Sequence, residues 1–280
     1  MSRAAAMLIM GVFTLYFLTP IWWLLVTSTK ASGEITGTAP LWFTPNSIST
    51  FFANLIELFQ YQDGLFIKWL ANSALYAGAG ALLGTIIAAM CGYALAKYEF
   101  KGREIIFNVV LSGVLVPATA LALPLFLIFS EVNLTNTYWA VFLPSLVSPF
   151  GVYLMRVFAQ EAVPDELLDA ARIDGAGELR TFFTIALPLL RPAIVTVLLL
   201  SVVGTWNNFF LPLAVLSDPL LLPVTVGLNG WTALSNAGSG GEALWNLITT
   251  GAFISIIPLI IAFLSLQKYW QGGLSLGSLK

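Results

Sequence analysis

The chain of 280 residues is 58% hydrophobic and 9% charged, with a mean hydropathy of +0.88, whereas a soluble domain carries about 25% charged residues. That composition excludes an ordinary soluble fold and assigns the chain to a membrane. A net charge of -2 and a pI near 5.1 exclude the basic patch that a nucleic acid requires.

Crossing roughly 30 Å of hydrocarbon takes about 20 apolar residues. Six runs without Asp, Glu, Lys, Arg or His meet or approach that length: residues 4–29, 69–96, 105–130, 138–155, 193–216 and 243–267. The expected fold class is therefore an all-α polytopic membrane protein of six transmembrane helices, a single transmembrane domain over 1–280. The first run is longer than a secretory signal core and ends in Trp22 and Trp23, which suit a membrane interface, so it is read as a retained helix. In the second, Gly80, Gly84, Ala88 and Gly92 recur every four positions and make a smooth strip for a close helix–helix contact. Pro117, Pro124, Pro144, Pro149 and Pro212 fall inside runs three to five, where each removes a backbone donor and bends its helix. Such bends either enclose a path or merely fit neighbouring helices. The fifth run carries "GTWNNFFLP", whose Trp206, Asn207 and Asn208 either join helices or face a neutral, polyhydroxylated solute.

Lys and Arg in the short connections set orientation. With the N-terminus inside, the cytoplasmic side holds Arg3, Lys97, Lys101, Arg103, Arg156, Arg172, Arg180, Arg191, Lys268 and Lys280, and only Lys30 and Lys68 fall outside. Both termini are then cytoplasmic. The outer face carries segment 30–68, the turn "EVNLTNT" and the Gly/Ser/Asn-rich "VGLNGWTALSNAGSGGE", the last two read as mobile loops.

The side-chain inventory excludes much chemistry. The chain has no histidine, so His-ligated zinc or haem and Ser-His or Cys-His nucleophiles are ruled out. The lone Cys91 lies in an apolar helix and reads as a packing residue. No G-x-x-x-x-G-K-[ST] sequence is present. No expected span holds an ionisable group of the kind that ion-coupled carriers use, which points to an energy source on another chain, although sodium sites built from carbonyls stay open.

One block breaks the apolar pattern: "VPDELLDAARIDGAGELRTFFTIALPLLRP", residues 163–192. Pro164 presets φ for a helix start, and Asp165 and Glu166 meet the positive end of the helix dipole. Val163, Leu167, Leu168 and Ala171 share one face. Asp174-Gly175 and Gly177 predict a turn, followed by a second short helix that stops near Pro188. The reading is a helical hairpin at the membrane face, a cytoplasmic loop over 160–189.

Asp169-Ala170-Ala171-x3-Gly175-x9-Ile185-x-Leu187-Pro188 resembles the EAA loop, Glu-Ala-Ala-x3-Gly-x9-Ile-x-Leu-Pro, of type I ABC importer permeases, with Asp169 in place of Glu. "ARIDGA", "LPLLRPA", "WNNF", "ALAKYEFKGR" and the tail "QGGLSLGSLK" are similar to the carbohydrate-uptake branch that includes the maltose permease. The resemblance implies a multi-pass protein of a bacterial or archaeal plasma membrane. It also implies a homologous second permease, two ABC ATPase subunits that hold ATP and Mg, and an extracellular or periplasmic solute-binding protein. No cofactor is expected in this chain, which would contact sugar and lipid. Asp169, Ala170, Ala171, Asp174 and Gly175 would then form the ATPase-coupling helix, and Trp206, Asn207 and Asn208 the substrate path. The expected function is the permease subunit of a sugar or oligosaccharide importer, not an enzyme. The alternatives are a secondary carrier of a neutral solute, and an ABC permease for a non-sugar such as glycerol phosphate or a polyamine.

Overall fold

A computed structural model describes residues 3–35, 41–237 and 243–274. Among them every regular element is helical and no strand occurs. Four helices are long and apolar enough to cross a membrane: Arg3–Thr27, Leu65–Lys97, Tyr138–Ala162 and Trp245–Lys268. Two further pairs pass the same test but are bent, Arg103–Leu115 with Ala118–Glu131 by 97° and Glu178–Leu189 with Arg191–Trp206 by 83°.

The bends follow from proline. Pro117 has no N–H and pushes Val116 into extended backbone, at φ -82° and ψ 120°, so the third expected span is a corner. The fifth expected span, 193–216, is also discontinuous. Arg191–Trp206 ends at Asn207, and Phe210–Val215 is a separate short helix. Pro212 denies a donor to the Asn208 carbonyl four residues earlier, so the ladder fails there. Pro188 and Pro192 do the same to the carbonyls of Thr184 and Pro188, and the 83° turn falls between the helices that hold them.

The contacts group the chain into two compact units, Met1–Leu70 with Val224–Pro258, and Ala71–Pro223 with Leu259–Lys280. In the first, helix Val224–Ser235 replaces much of the expected outer loop. Gly227 and Trp231 are buried there. The Trp231 ring lies 4.7 Å from that of Trp69 and 5.3 Å from that of Tyr61, and Gly227 meets the Trp69 ring so closely that no Cβ fits. A glycine read as a loop former is thus a packing residue. The rest of that loop, 238–242, lies outside the described residues.

In the second unit the glycine strip behaves as expected. A Cβ at Gly84 would stand 2.9 Å from the Ser145 carbonyl, and one at Gly92 only 2.5 to 2.8 Å from Met155 Cβ, the Arg156 amide and the Val152 carbonyl. Helix Leu65–Lys97 therefore lies backbone to backbone against Tyr138–Ala162. Arg156, read as a loop cation, is buried beside this contact; its guanidinium sits 3.8 Å above the Phe107 ring and 2.5 Å from the Glu104 carboxylate. The "EVNLTNT" turn, read as a mobile loop, is tied to a second segment. Asn133 and Asn136 adopt φ of 56°, and the Asn136 Oδ1 accepts the amides of Ser217 and Asp218 at 2.9 and 2.7 Å.

Candidate functional site

The charged block folds as a helical hairpin. Pro164, at φ -65° and ψ 137°, precedes helix Asp165–Ile173 as its cap residue, with Asp165 and Glu166 in the first turn. The helix ends in a Schellman motif. The Gly175 amide donates to the Arg172 carbonyl at 3.0 Å and the Ala176 amide to the Ala171 carbonyl at 2.9 Å, while Gly175 takes φ +74°. Asp174 is the C-cap, and its amide donates to the Ala170 carbonyl. The return limb runs from Glu178 to Leu189 through a π-helical turn at Phe182–Ala186. It ends at Leu189, one residue past the expected stop near Pro188, and closes at Leu190.

The residues of the helix divide by face. Leu168 and Ala171 are buried, and Val163, Leu168, Phe182 and Ala186 share one core with Tyr93, Met155 and Ala159 of the long helices. Leu167, assigned to the inner face by spacing, is 44% exposed, because it lies a full residue step, 100°, from Leu168. With Ala170 and Ile173, which is 86% exposed, it makes a second, outward apolar strip. Asp169, Asp174 and Gly175 are also exposed.

Two polar links fasten the hairpin to the C-terminal end of helix Leu65–Lys97. Lys97 Nζ lies 2.8 Å from the Asp165 carboxylate. Tyr98 donates its hydroxyl to Glu178 at 2.7 Å, and Glu178 accepts from Arg172 Nε at 3.1 Å. Arg172 also donates to Asp169 at 3.1 Å. The Tyr98 hydroxyl and the Arg172 guanidinium hold the Glu178 carboxyl below the usual range. Burial and the same carboxylate push the Tyr98 phenol up, and Glu178 with Asp169 raises Arg172. Asp169 is thus tied within the hairpin. Sequence reading missed both links: Lys97 and Tyr98 stand in "ALAKYEFKGR" without a visible role, and only the fold brings them to partners 68 and 80 residues away.

The second group of candidates sits at the break after Arg191–Trp206. Trp206 is buried at 6% exposure. Asn207 is exposed, with its Nδ2 donating to the Val203 carbonyl at 2.9 Å. Asn208 is half-buried, and its amide donates to the Thr205 carbonyl. The three are neighbours in sequence, but they do not present one common face.

The sequence profile of the family described as binding-protein-dependent transport system inner membrane component matches residues 80–275. Over 279 residues the chain is 36% identical to the arabinooligosaccharides transport system permease protein AraQ of Bacillus subtilis (strain 168), covering 99% of this chain and 96% of that one. It is 33% identical over 265 residues to the melibiose/raffinose/stachyose import permease protein MelC of the same organism, covering 93% and 91%. In fold it is similar, at a TM-score of 0.82 and 23% identity over 96% of this chain and 99% of the other, to a chain of a bacterial ABC transporter involved in the import of the acidic polysaccharide alginate.

Proposed function

The chain belongs to the binding-protein-dependent transport system inner membrane component family, and we propose that it is the membrane-spanning permease subunit of an ATP-driven importer of a sugar or oligosaccharide. The observation that carries this is the near full-length likeness to permeases named for oligosaccharide import. The hairpin supports the mechanism. An outward apolar strip of Leu167, Ala170 and Ile173, on a helix pinned to a long span, is the surface expected of a joint that another subunit grips. In this reading two ATPase subunits hold ATP and Mg, bind the hairpin on the cytoplasmic side and drive the bundle between inward- and outward-facing states. A homologous permease completes the path, and an outer solute-binding protein delivers the sugar. The whole chain acts as one transmembrane domain with both termini cytoplasmic.

Within the path, Asn207 is the exposed polar group at a helix break and the favoured sugar contact. Trp206 supports the break from its buried side, and Asn208 stands beside it. To test the assignment, the complex is purified from its native membrane through this chain and reconstituted with its receptor. Co-purification of an ATPase and a second permease, with ATP-dependent oligosaccharide uptake, is the expected outcome. Uptake driven by an ion gradient without an ATPase would overturn it.

A further inference from the structure

Helix Ser47–Gln60 buries two polar residues and one apolar residue and exposes an apolar stripe, unlike a water-soluble amphipathic helix. Its buried residues are Ser47, Asn54 and Leu58. Asn54 donates through Nδ2 to the carbonyls of Ser28 at 3.0 Å and Lys30 at 2.9 Å, and its Oδ1 accepts Asn246 Nδ2 at 3.1 Å. Ser47 Oγ accepts the Thr29 hydroxyl at 3.2 Å. The two Asn54 Nδ2 bonds take up carbonyls just past the end of helix Arg3–Thr27 that have no helical donor, and the four bonds together form a buried polar seam. The opposite face is apolar: Ile48, Phe52 and Ile56, at i, i+4 and i+8, are 78%, 57% and 58% exposed. No Asp, Glu, Lys or Arg occurs between residues 41 and 56.

A helix in water turns its apolar stripe inward. Polar inside and apolar outside is the arrangement that hydrocarbon selects. We propose that Ser47–Gln60 lies in the membrane interface on the side of segment 30–68, with Ile48, Phe52 and Ile56 among lipid acyl chains. Three observations name lipid as the occupant. The apolar surface joins the first helix: Leu25 of helix Arg3–Thr27 and Phe43, Ile48, Phe51 and Phe52 line one groove of about 540 Å³, whose remaining lining is Pro45, Thr29, Thr44 and Ser47. The 18-residue apolar window of that first helix has no buried residue. At the junction Trp22 donates Nε1 to the Leu41 carbonyl at 3.0 Å and packs on the rings of Trp42 and Phe43 at 5.7 and 5.5 Å, a cluster of the kind that marks headgroup level. A helix of 14 residues is too short for a span, so the segment reads as an ordinary outer connection in sequence.

The inference rests on the membrane-spanning reading of Arg3–Thr27 and needs neither the sugar nor the hairpin. It is tested in the reconstituted complex by spin-labelling single cysteines at Ile48, Phe52 and Ile56 in a Cys91→Ser background. Collision with oxygen, which partitions into lipid, is compared with collision with a water-soluble nickel chelate. Leu15 serves as the reference for lipid and Asn236 for water. At all three sites oxygen is expected to exceed nickel, as at Leu15, with the ratio inverted at Asn236. Nickel in excess would place the stripe in water, and low accessibility to both would place a partner protein on it; either result overturns the proposal. Failure of Leu15 to report lipid would instead overturn the spanning reading itself.

Discussion

At Gly175 a single backbone torsion decides the direction of the hairpin. Its φ of +74° lies where an L side chain costs roughly 1–2 kcal/mol, yet nothing lies within 4 Å of a Cβ built there. Gly175→Val is therefore expected to leave the chain folded and inserted while misdirecting the helix, seen as hydrolysis without uptake in the reconstituted complex. The two alanines are not equivalent. Ala171 is buried in its own chain, so Ala171→Trp should lower membrane abundance through overpacking, whereas Ala170→Trp, on the exposed strip, should spare abundance and reduce ATPase co-purification. Normal docking of the Ala170 variant would remove that strip from the joint. The Tyr98–Glu178–Arg172 chain gives a further expectation. Tyr98→Phe and Glu178→Gln should each weaken coupling of hydrolysis to uptake several-fold, with assembly intact; unchanged coupling in both would make the link ornamental. Because Glu178 is held below its ordinary value of 4.5, the stabilisation it gives is present above that value and lost as pH falls through the depressed one. The link should thus hold throughout neutral and mildly acidic pH, and a loss of coupling between pH 5 and 7 that vanishes in Glu178→Gln would contradict it.

At the scale of elements, the glycine strip separates close contact from mere flexibility. Gly92→Ala places a methyl against backbone atoms of Tyr138–Ala162 and should cost about 1–3 kcal/mol. Gly204→Ala meets nothing within 4 Å and should gain about 0.5–1 kcal/mol by restricting the unfolded chain. Thermal unfolding of the purified complex compares them, and equal shifts would refute the close contact. This strip was legible because a period of four is a helix-face signal that needs no knowledge of the neighbour. The Gly175 turn was legible for a similar reason: Asp-Gly after an apolar periodic run is a local stop. Other elements were hidden because their cause is tertiary. Val224–Ser235 has the glycine and asparagine of a loop, but the Trp69 ring claims the space beside Gly227. Asn136 looks like a flexible turn residue until Ser217 and Asp218 deliver their amides to it. Leu167 was misplaced because four apolar positions in and beside a short helix do not reveal which three face the core. Pro212 signalled a bend, but the loss of ladder from Asn207 onward appears only when the carbonyl it strands is located.

For the whole molecule, charge placement predicts that an impermeant thiol reagent added from outside labels a cysteine at Asn236 but not one at Glu178, in the Cys91→Ser background. The reverse pattern would invert the topology and remove the hairpin from the ATPase side. The corner at Pro117 carries a different consequence. Its limbs of 13 and 14 residues are each about 20 Å long, short of the roughly 30 Å hydrocarbon core. Residues 114–121 between and beside them are all exposed in the single chain. Irregular backbone at membrane depth persists only where protein or water covers it, so a lone copy would present uncovered backbone to acyl chains. Expressed without the second permease proposed above, the chain should be cleared by membrane proteases, and a pulse-chase should show its lifetime restored when that permease is co-expressed. An equally long-lived orphan would show that lipid tolerates the corner. If the orphan is cleared, a kink that sequence marks with one proline doubles as a quality-control tag, legible to the cell only while assembly is incomplete.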